Sequence, residues 1–250
     1  MKKYIKQFGV LLTAMSLLVS LCACASSGTE TPDSTTQPTT EPTTTAAPTT
    51  TEAPTTTEAP TATEAPTEEN EVSFGTVSGN TYENSFIGLT CTLDDEWYIY
   101  TKEEVAAVSG IASDVLTEAD LQNQLKTTGN VMDFYAAKDS GLTTVNITIS
   151  DNGMTLGSVA NEQVLVEAML PTLESTYTSV GYEIDTLETE SVEFAGSTHP
   201  CIVLTGEYGG LPIYMRQVFL LVDTYSVAIS FCSFYEDKTT ETFDAFSALN

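Results

Sequence analysis

The sequence predicts an α+β fold: a mainly antiparallel β-sheet flanked by helices on both faces, preceded by a disordered linker. Three observations lead there. Ser191–Phe194, Pro200–Gly206, Pro212–Val222 and Tyr225–Phe234 are separated only by Ala-Gly, Tyr-Gly-Gly and Asp-Thr turns, which implies consecutive antiparallel hairpins. Met215–Val222 and Tyr225–Phe234 carry bulky apolar side chains on both alternating sets, the pattern of strands covered on both faces. Between Val159 and Ser179, Leu165, Met169, Leu173 and Tyr177 recur at a spacing of four, which makes one stripe of a long helix.

The elements follow in order. Phe86–Leu93 reads as the first strand, with Trp97 and Tyr100 after it. Thr101-x-x-Glu104 is a capping-box pattern that opens a short helix (KEEVAAVS) stopping near Gly110. Thr117–Lys126 is a second helix, with Leu121 and Leu125 one turn apart. Val131–Ala137 and Thr143–Ser150 are strands. In the second, Val145, Ile147 and Ile149 alternate with Asn146, Thr148 and Ser150, so its two faces differ in polarity. Pro171, without an N–H, should kink or interrupt the long helix, and Gly181 is placed to end it. A closing helix over Thr240–Leu249 presents Phe243, Phe246 and Leu249.

Residues 71–250 are enough for a single globular domain; what precedes them has another character. Lys2, Lys3 and Lys6 lead into an apolar run from Phe8 to Leu21. That is the layout of a secretory signal, shorter than the ~20 residues that span a bilayer. Two cleavage readings compete. Ala23-Cys24-Ala25 fits the small-x-small pattern of an ordinary signal peptidase site. Leu21-Cys22-Ala23-Cys24 resembles a bacterial lipobox, in which the cut falls between Ala23 and Cys24 and the cysteine sulfur is diacylated. A thiol is unnecessary for the first cut and indispensable for the second, so the lipoprotein reading is favoured. It makes residues 1–23 a signal peptide and Cys24 the lipidation site. Two acyl chains give a stable anchor where one gives marginal binding. The expected location is the outer face of a bacterial cell membrane.

Residues 24–70 are rich in Thr, Pro, Glu and Ala, with a six-residue unit at Thr43–Pro48, Thr49–Pro54, Thr55–Pro60 and Thr61–Pro66. No unit has an apolar side chain larger than Ala, so there is no core to stack into a solenoid. Regular proline and β-branched threonine favour extended conformations, at ~3.1 Å per residue. The tract reads as a stalk, or as a tether of no fixed length, with a composition suited to O-glycosylation.

The chain carries 35 acidic residues against 8 Lys and Arg, a formal net charge of −27. With three lysines in the signal, the folded region keeps only Lys102, Lys126, Lys138, Arg216 and Lys238. Such a surface repels nucleic acid and anionic lipid, which are bound mainly through Lys and Arg, so nucleic-acid binding is excluded. Cys91, Cys201 and Cys232 are widely spaced and allow at most one disulfide, in three alternative pairings. Cys91 alternates with Ile87, Leu89 and Leu93, the pattern of a buried thiol.

Candidate chemistry is sparse. His199, the only histidine, shares one side of a strand with Cys201, which suggests a Cys–His pair or half a metal site. Zinc needs two more such ligands, and a nucleophilic thiol needs an electropositive setting. Asp94, Asp95, Glu96 and Asp151 could offer oxygens to calcium, but the Asp-x-Asp-x-Asp-Gly loop is missing and turn formation accounts for them. Trp97, Tyr98 and Tyr100 read as a stacking platform for a sugar or peptide, or, with more weight, Trp97 reads as a buried anchor. Arg216 reads as half of an internal ion pair, with an anionic ligand as the alternative. Asn146-Ile147-Thr148 matches a glycosylation sequon by coincidence. No catalytic, cofactor-binding or metal-binding constellation emerges: there is no Gly-rich phosphate loop, Ser nucleophile elbow or metal-binding helix.

Taken in order, N-S-F-I-G-L-T-C-T-L with Trp97, VMDFYAAKDSGLTTVNITISDN, the long helix, VEFAG and a Phe-rich terminal helix resemble a known group. These are the small lipoproteins of Gram-positive anaerobes whose head has the Mog1/PsbP-like α/β/α sandwich fold. The likeness rests on element order and a few anchor residues. Members of that fold group mostly bind or assist other proteins and share no catalytic residue, so the resemblance implies a non-enzymatic head. The expectation is a cell-surface lipoprotein that displays an acidic domain on an extended stalk and contacts another protein or an envelope component. The alternative is a small-molecule or cation-binding carrier head serving a membrane transporter. A hydrolase using paired carboxylates is a third reading, but the spacing of the acids names no pair.

Overall fold

The computed structural model describes residues 72–109, 117–152 and 161–249. The segments expected to be a signal peptide (1–23) and a linker (24–70), with the expected cleavage site and Cys24, lie outside the described residues. Four short strands open the domain: β1 (Thr76–Ser78), β2 (Thr81–Asn84), β3 (Leu89–Thr92) and β4 (Tyr98–Ile99). Helices α1 (Lys102–Val108) and α2 (Glu118–Thr128) are each opened by a capping box, Thr101 with Glu104 and Thr117 with Asp120. In each box hydroxyl and carboxylate accept from two backbone N–H groups that the first turn leaves unpaired. Strands β5 (Asn130–Lys138) and β6 (Thr143–Asp151) precede the long helix α3 (Glu162–Ser179). Then come β7 (Tyr182–Phe194), β8 (Ser197–Tyr208), β9 (Leu211–Val222), β10 (Tyr225–Phe234) and β11 (Phe246–Ala248).

The strands form two antiparallel sheets where the sequence suggested one. Seven run in the order β4-β5-β6-β10-β9-β8-β7, and four in the order β1-β2-β3-β11. The hairpins from β7 to β10 form as the turns require. Between β8 and β9, Gly209 and Gly210 both take positive φ, 59° and 78°. That two-residue turn matches the twist of the flanking strands and is one that side chains resist.

Alternate residues of the large sheet divide between clusters. Phe134, Val145, Ile147, Ile149, Val227 and Ile229 pack with Leu121 and Leu125 of α2, with Trp97, and with Leu89 and Cys91 of β3. The other set, Ile202, Leu204, Met215, Phe219, Ala228 and Cys232, meets Leu165, Val166, Met169, Leu173 and Tyr177 of α3. Val105 of α1 packs on Met132, Tyr135 and Ala137 of β5. A fully buried side chain of this size contributes ~1.5–3 kcal/mol, so these stripes hold the elements more firmly than helix propensity does.

The structure departs from the sequence reading at several elements. The closing helix over Thr240–Leu249 does not form. Phe243–Ala245 makes one 3-10 turn, and β11 pairs antiparallel with Leu89–Cys91. Phe243 and Phe246 both stack on Phe194, at 5.6 and 5.1 Å between ring centroids, and a free β3 edge offers a short segment more than an isolated helix can. Pro171 interrupts nothing. It sits exposed inside α3, whose apolar stripe outweighs the ~3 kcal/mol that a mid-helix proline costs. The first strand is shorter than Phe86–Leu93, because Asn84 Oδ1 accepts from the N–H groups of Phe86 and Ile87 and holds them in a turn. β7 starts at Tyr182, well before Ser191; its polar half lacks the alternation of a covered strand because it lies at the sheet edge. Finally, Asn146, Thr148 and Ser150, the polar set of β6, are buried.

Candidate functional site

β8 and β9 pair from Cys201↔Val218 to Tyr208↔Leu211, yet both strands run on past that point, β8 back to Ser197 and β9 on to Val222. Pro200 has no N–H to offer a ladder, and from there the strands part. The N–H of Leu221 donates instead to Glu162 Oε1 at 3.1 Å. The other carboxylate oxygen, Oε2, lies 2.9 Å from Nδ1 of His199. Glu162 is the first residue of α3, where an acid is favoured by the helix dipole, and Asn161 caps that helix by accepting from the Val164 N–H. The start of a helix and the ends of two strands thus meet at one carboxylate.

Both side chains are largely covered, with 16% of His199 and 23% of Glu162 exposed. Beside them opens a hollow of about 480 Å³, lined also by Ser191, Thr198, Pro200 and Leu221. A carboxylate can only accept, so His199 donates to it from Nδ1–H. Each Glu162 oxygen keeps a further lone pair. The hollow therefore offers carboxylate lone pairs to hydrogen-bond donors.

A second carboxylate is buried on β5. Asp133 accepts from the Gly75 N–H at 2.9 Å, from the Tyr82 hydroxyl at 2.6 Å and from the Asn84 amide at 2.8 Å. Burial pushes its carboxyl above the ordinary carboxylate range, against the opposing pull of the bonds from Tyr82, Gly75 and Asn84. Burial, with Asp133 alongside, also pushes the Tyr82 phenol well up. Residue 75 must be glycine here, since a Cβ would fall 2.1 Å from the Tyr82 ring. The Phe74 N–H donates to Glu118, and Gln122 donates to the Val72 carbonyl. The chain entering the domain is stitched to β2, β5 and α2.

The residues singled out from the sequence have other occupations. His199 turns to Glu162, whereas Cys201 lies in the core with its thiol directed at the Ile202 carbonyl, 3.5 Å away. Cys91, Cys201 and Cys232 are free and buried, and burial pushes each thiol up to about 12. Arg216 donates from Nε to Glu190 at 3.0 Å and from Nη1 to Asp237 at 2.8 Å. Burial raises the Asp237 carboxyl, but the bonds from Thr239 and Arg216 outweigh it and hold the group below its ordinary value. Trp97 is buried with Lys138 Nζ 5.1 Å above its ring, while Tyr98 is exposed and donates to Glu104. The three aromatics do not share one platform. Asp94 accepts from the Glu96 N–H and Asp95 from the Asn80 amide, and Asp151 closes β6. Among the described residues, no group of three or more His, Cys, Asp and Glu is arranged to hold a metal ion.

Glu162 and Asp133 escaped the sequence reading. Glu162 looks like any acid in a first helical turn. Asp133 left a signal, a lone charge inside the apolar run VMDFYAA. No family model matches the chain, and no curated protein matches it. Among solved structures it is similar to PA94, a protein of unknown function from Pseudomonas aeruginosa, at 15% identity and a TM-score of 0.23 over 36% of this chain; it spans 58% of that one. It is also similar to LpqN of Mycobacterium tuberculosis, described as involved in cell envelope biogenesis, at 8% identity and a TM-score of 0.29, covering 64% of this chain and 82% of that one.

Proposed function

We propose that this chain is a lipoprotein anchored through a diacylated Cys24 to the outer face of a bacterial membrane. Its Thr/Pro/Glu-rich stalk displays an acidic head that works as a non-enzymatic binding module for a surface protein or envelope component. The head is read as an α/β/α sandwich of the Mog1/PsbP-like kind. One observation carries the non-enzymatic reading: the side chains best suited to chemistry are committed to holding the fold. His199 is tied to Glu162, Arg216 to Glu190 and Asp237, and the thiols are buried and pushed up to about 12. A thiol in that range is not a nucleophile at neutral pH. The acidity of the chain argues against nucleic acid as a partner.

The test of the anchor is the intact mass of the mature protein from membrane and medium fractions. A membrane-bound species beginning at diacylated Cys24, lost to the medium in Cys24→Ala, supports the reading. An unlipidated chain beginning at Ser26 in the medium sinks it. Binding is tested by cross-linking the displayed protein in intact envelopes. A partner retained in high salt supports the module, and no specific cross-link counts against it.

A further inference from the structure

We infer that the outer edge of β7 is a docking site for an extended, cationic protein segment, which adds to the large sheet as one more strand. That sheet has two edges, β4 and β7. β4 is two residues long and offers almost no ladder. β7 has 13 residues, and from Thr186 to Phe194 it stays in unbroken register with β8. At ~3.4 Å per residue this is an edge of about 30 Å. It contains no proline and no lysine, and past the bulge between Ile184 and Thr186 nothing irregular spoils a further pairing.

The turn that closes β7 onto β8 sets which backbone groups face outward. Ala195 and Gly196 take φ of 49° and 85°, the two-residue hairpin turn with both angles positive. Its closing pair, Phe194 and Ser197, exchanges both hydrogen bonds, and bonded and non-bonded pairs alternate from there. Val192, Glu190 and Glu188 therefore point N–H and C=O at β8, while Glu193, Ser191, Thr189 and Leu187 point theirs away from it. Pro200 lies opposite Ser191, a position that asks for no N–H towards β7. Among the described residues, nothing bonds to those four outward backbones. Helix α3 packs against the face of β7, where Leu187 joins its apolar cluster, and makes no backbone bond along the edge.

Charge selects the occupant. Glu183, Asp185, Glu188, Glu190 and Glu193 are all exposed, and β7 has no basic residue. Arg216 neutralises Glu190, and Glu193 accepts from the Thr198 hydroxyl. Among the described residues, Glu183, Asp185 and Glu188 are in no ion pair. A second copy of β7 would set acid against acid. The Thr/Pro/Glu tract of this chain has the same sign and a proline every sixth residue, so it makes a poor strand here. A segment with Lys or Arg at alternate positions meets Glu188 and Glu190 on one face while its backbone completes the ladder. The inference rests on the binding-module reading and names its class of partner. A partner cross-linked to another part of the head would overturn the edge and leave the module standing.

The experiment is amide hydrogen exchange on the isotopically labelled full chain, with an end-blocked octapeptide of alternating Lys and Thr at millimolar concentration. Without peptide, the Leu187, Thr189, Ser191 and Glu193 amides should exchange fast and those of Glu188, Glu190 and Val192 slowly. With peptide, the first four should slow at least tenfold. The same peptide N-methylated at every residue keeps the charge, has no backbone donor and should have no effect, and neither should an octapeptide of alternating Glu and Thr. Thr189→Pro removes one outward N–H and leaves the β8 ladder whole, so the variant should fold and lose the protection. Glu188→Lys should weaken the protection at least tenfold. If the proline variant does not fold, Glu188→Lys and the N-methylated peptide decide. No slowing of the four amides, equal slowing by either control peptide, or undiminished protection in Glu188→Lys or in folded Thr189→Pro would each overturn the assignment.

Discussion

Replacing Asp133 by alanine strands the Gly75 N–H, the Tyr82 hydroxyl and the Asn84 amide in the core. Breaking a buried charged hydrogen-bond cluster costs about 3–5 kcal/mol, and urea unfolding of Asp133→Ala should show a loss of that order. The same residue sets a pH dependence. Its folded pKa lies above the unfolded value because burial disfavours the charge. The native state therefore holds the proton more tightly, and the contribution is fully present below the ordinary carboxylate range of about 4 and is lost as pH rises through the folded pKa. The stability of wild type minus that of Asp133→Asn should fall as pH rises from about 4 towards neutrality. A difference that stays flat or climbs in that window means that burial is not the dominant influence on Asp133. Asp237 works in the other direction, its stabilisation disappearing only as pH falls below the carboxylate range.

At the scale of elements, packing decides where local preference does not. Helix α3 tolerates Pro171 because Leu165, Met169, Leu173 and Tyr177 keep their stripe in the core and the proline faces solvent. Pro171→Ala should raise stability by about 1–3 kcal/mol, read from the urea midpoint; a decrease would show that the proline shapes a bend the packing needs. The C-terminal segment makes the opposite case. Phe246 is 4% exposed, pairs with Cys91 and stacks on Phe194 and Phe231. Phe246→Ala should cost about 3–5 kcal/mol, whereas Ser247→Ala, on the exposed side of the same short strand, should change little. Equal effects at the two positions would mean that strand pairing alone, not the phenylalanine cluster, holds β11.

For the whole molecule the thiols are the most direct readout. Cys91, Cys201 and Cys232 are free, buried in different parts of the core, and pushed up to about 12 by burial. Iodoacetamide should label none of the three in the native protein at neutral pH. All three should react together once denaturant unfolds the domain, as peptide mapping over time would show. Labelling of one cysteine well before the others would mean that part of the core opens separately.

Much was legible beforehand because it is local. The hairpins from β7 to β10 follow from their turns, the first helix from Thr101-x-x-Glu104, the second from Leu121 and Leu125 one turn apart, the buried thiol of Cys91 from its apolar neighbours, and the ion pairing of Arg216 from a lone cation on an otherwise apolar strand. The conversion of Thr240–Leu249 into a turn and a strand depended on the free edge of β3, far away in the chain. The bond of His199 to Glu162 needed β8 and β9 to part and a helix to begin beside them, and the Asp133 cluster needed three segments to converge. Periodicity and capping report on neighbours within a few residues of one another. Which carboxylate meets which buried donor is settled only when distant segments close on the same core, and tertiary structure alone supplies that.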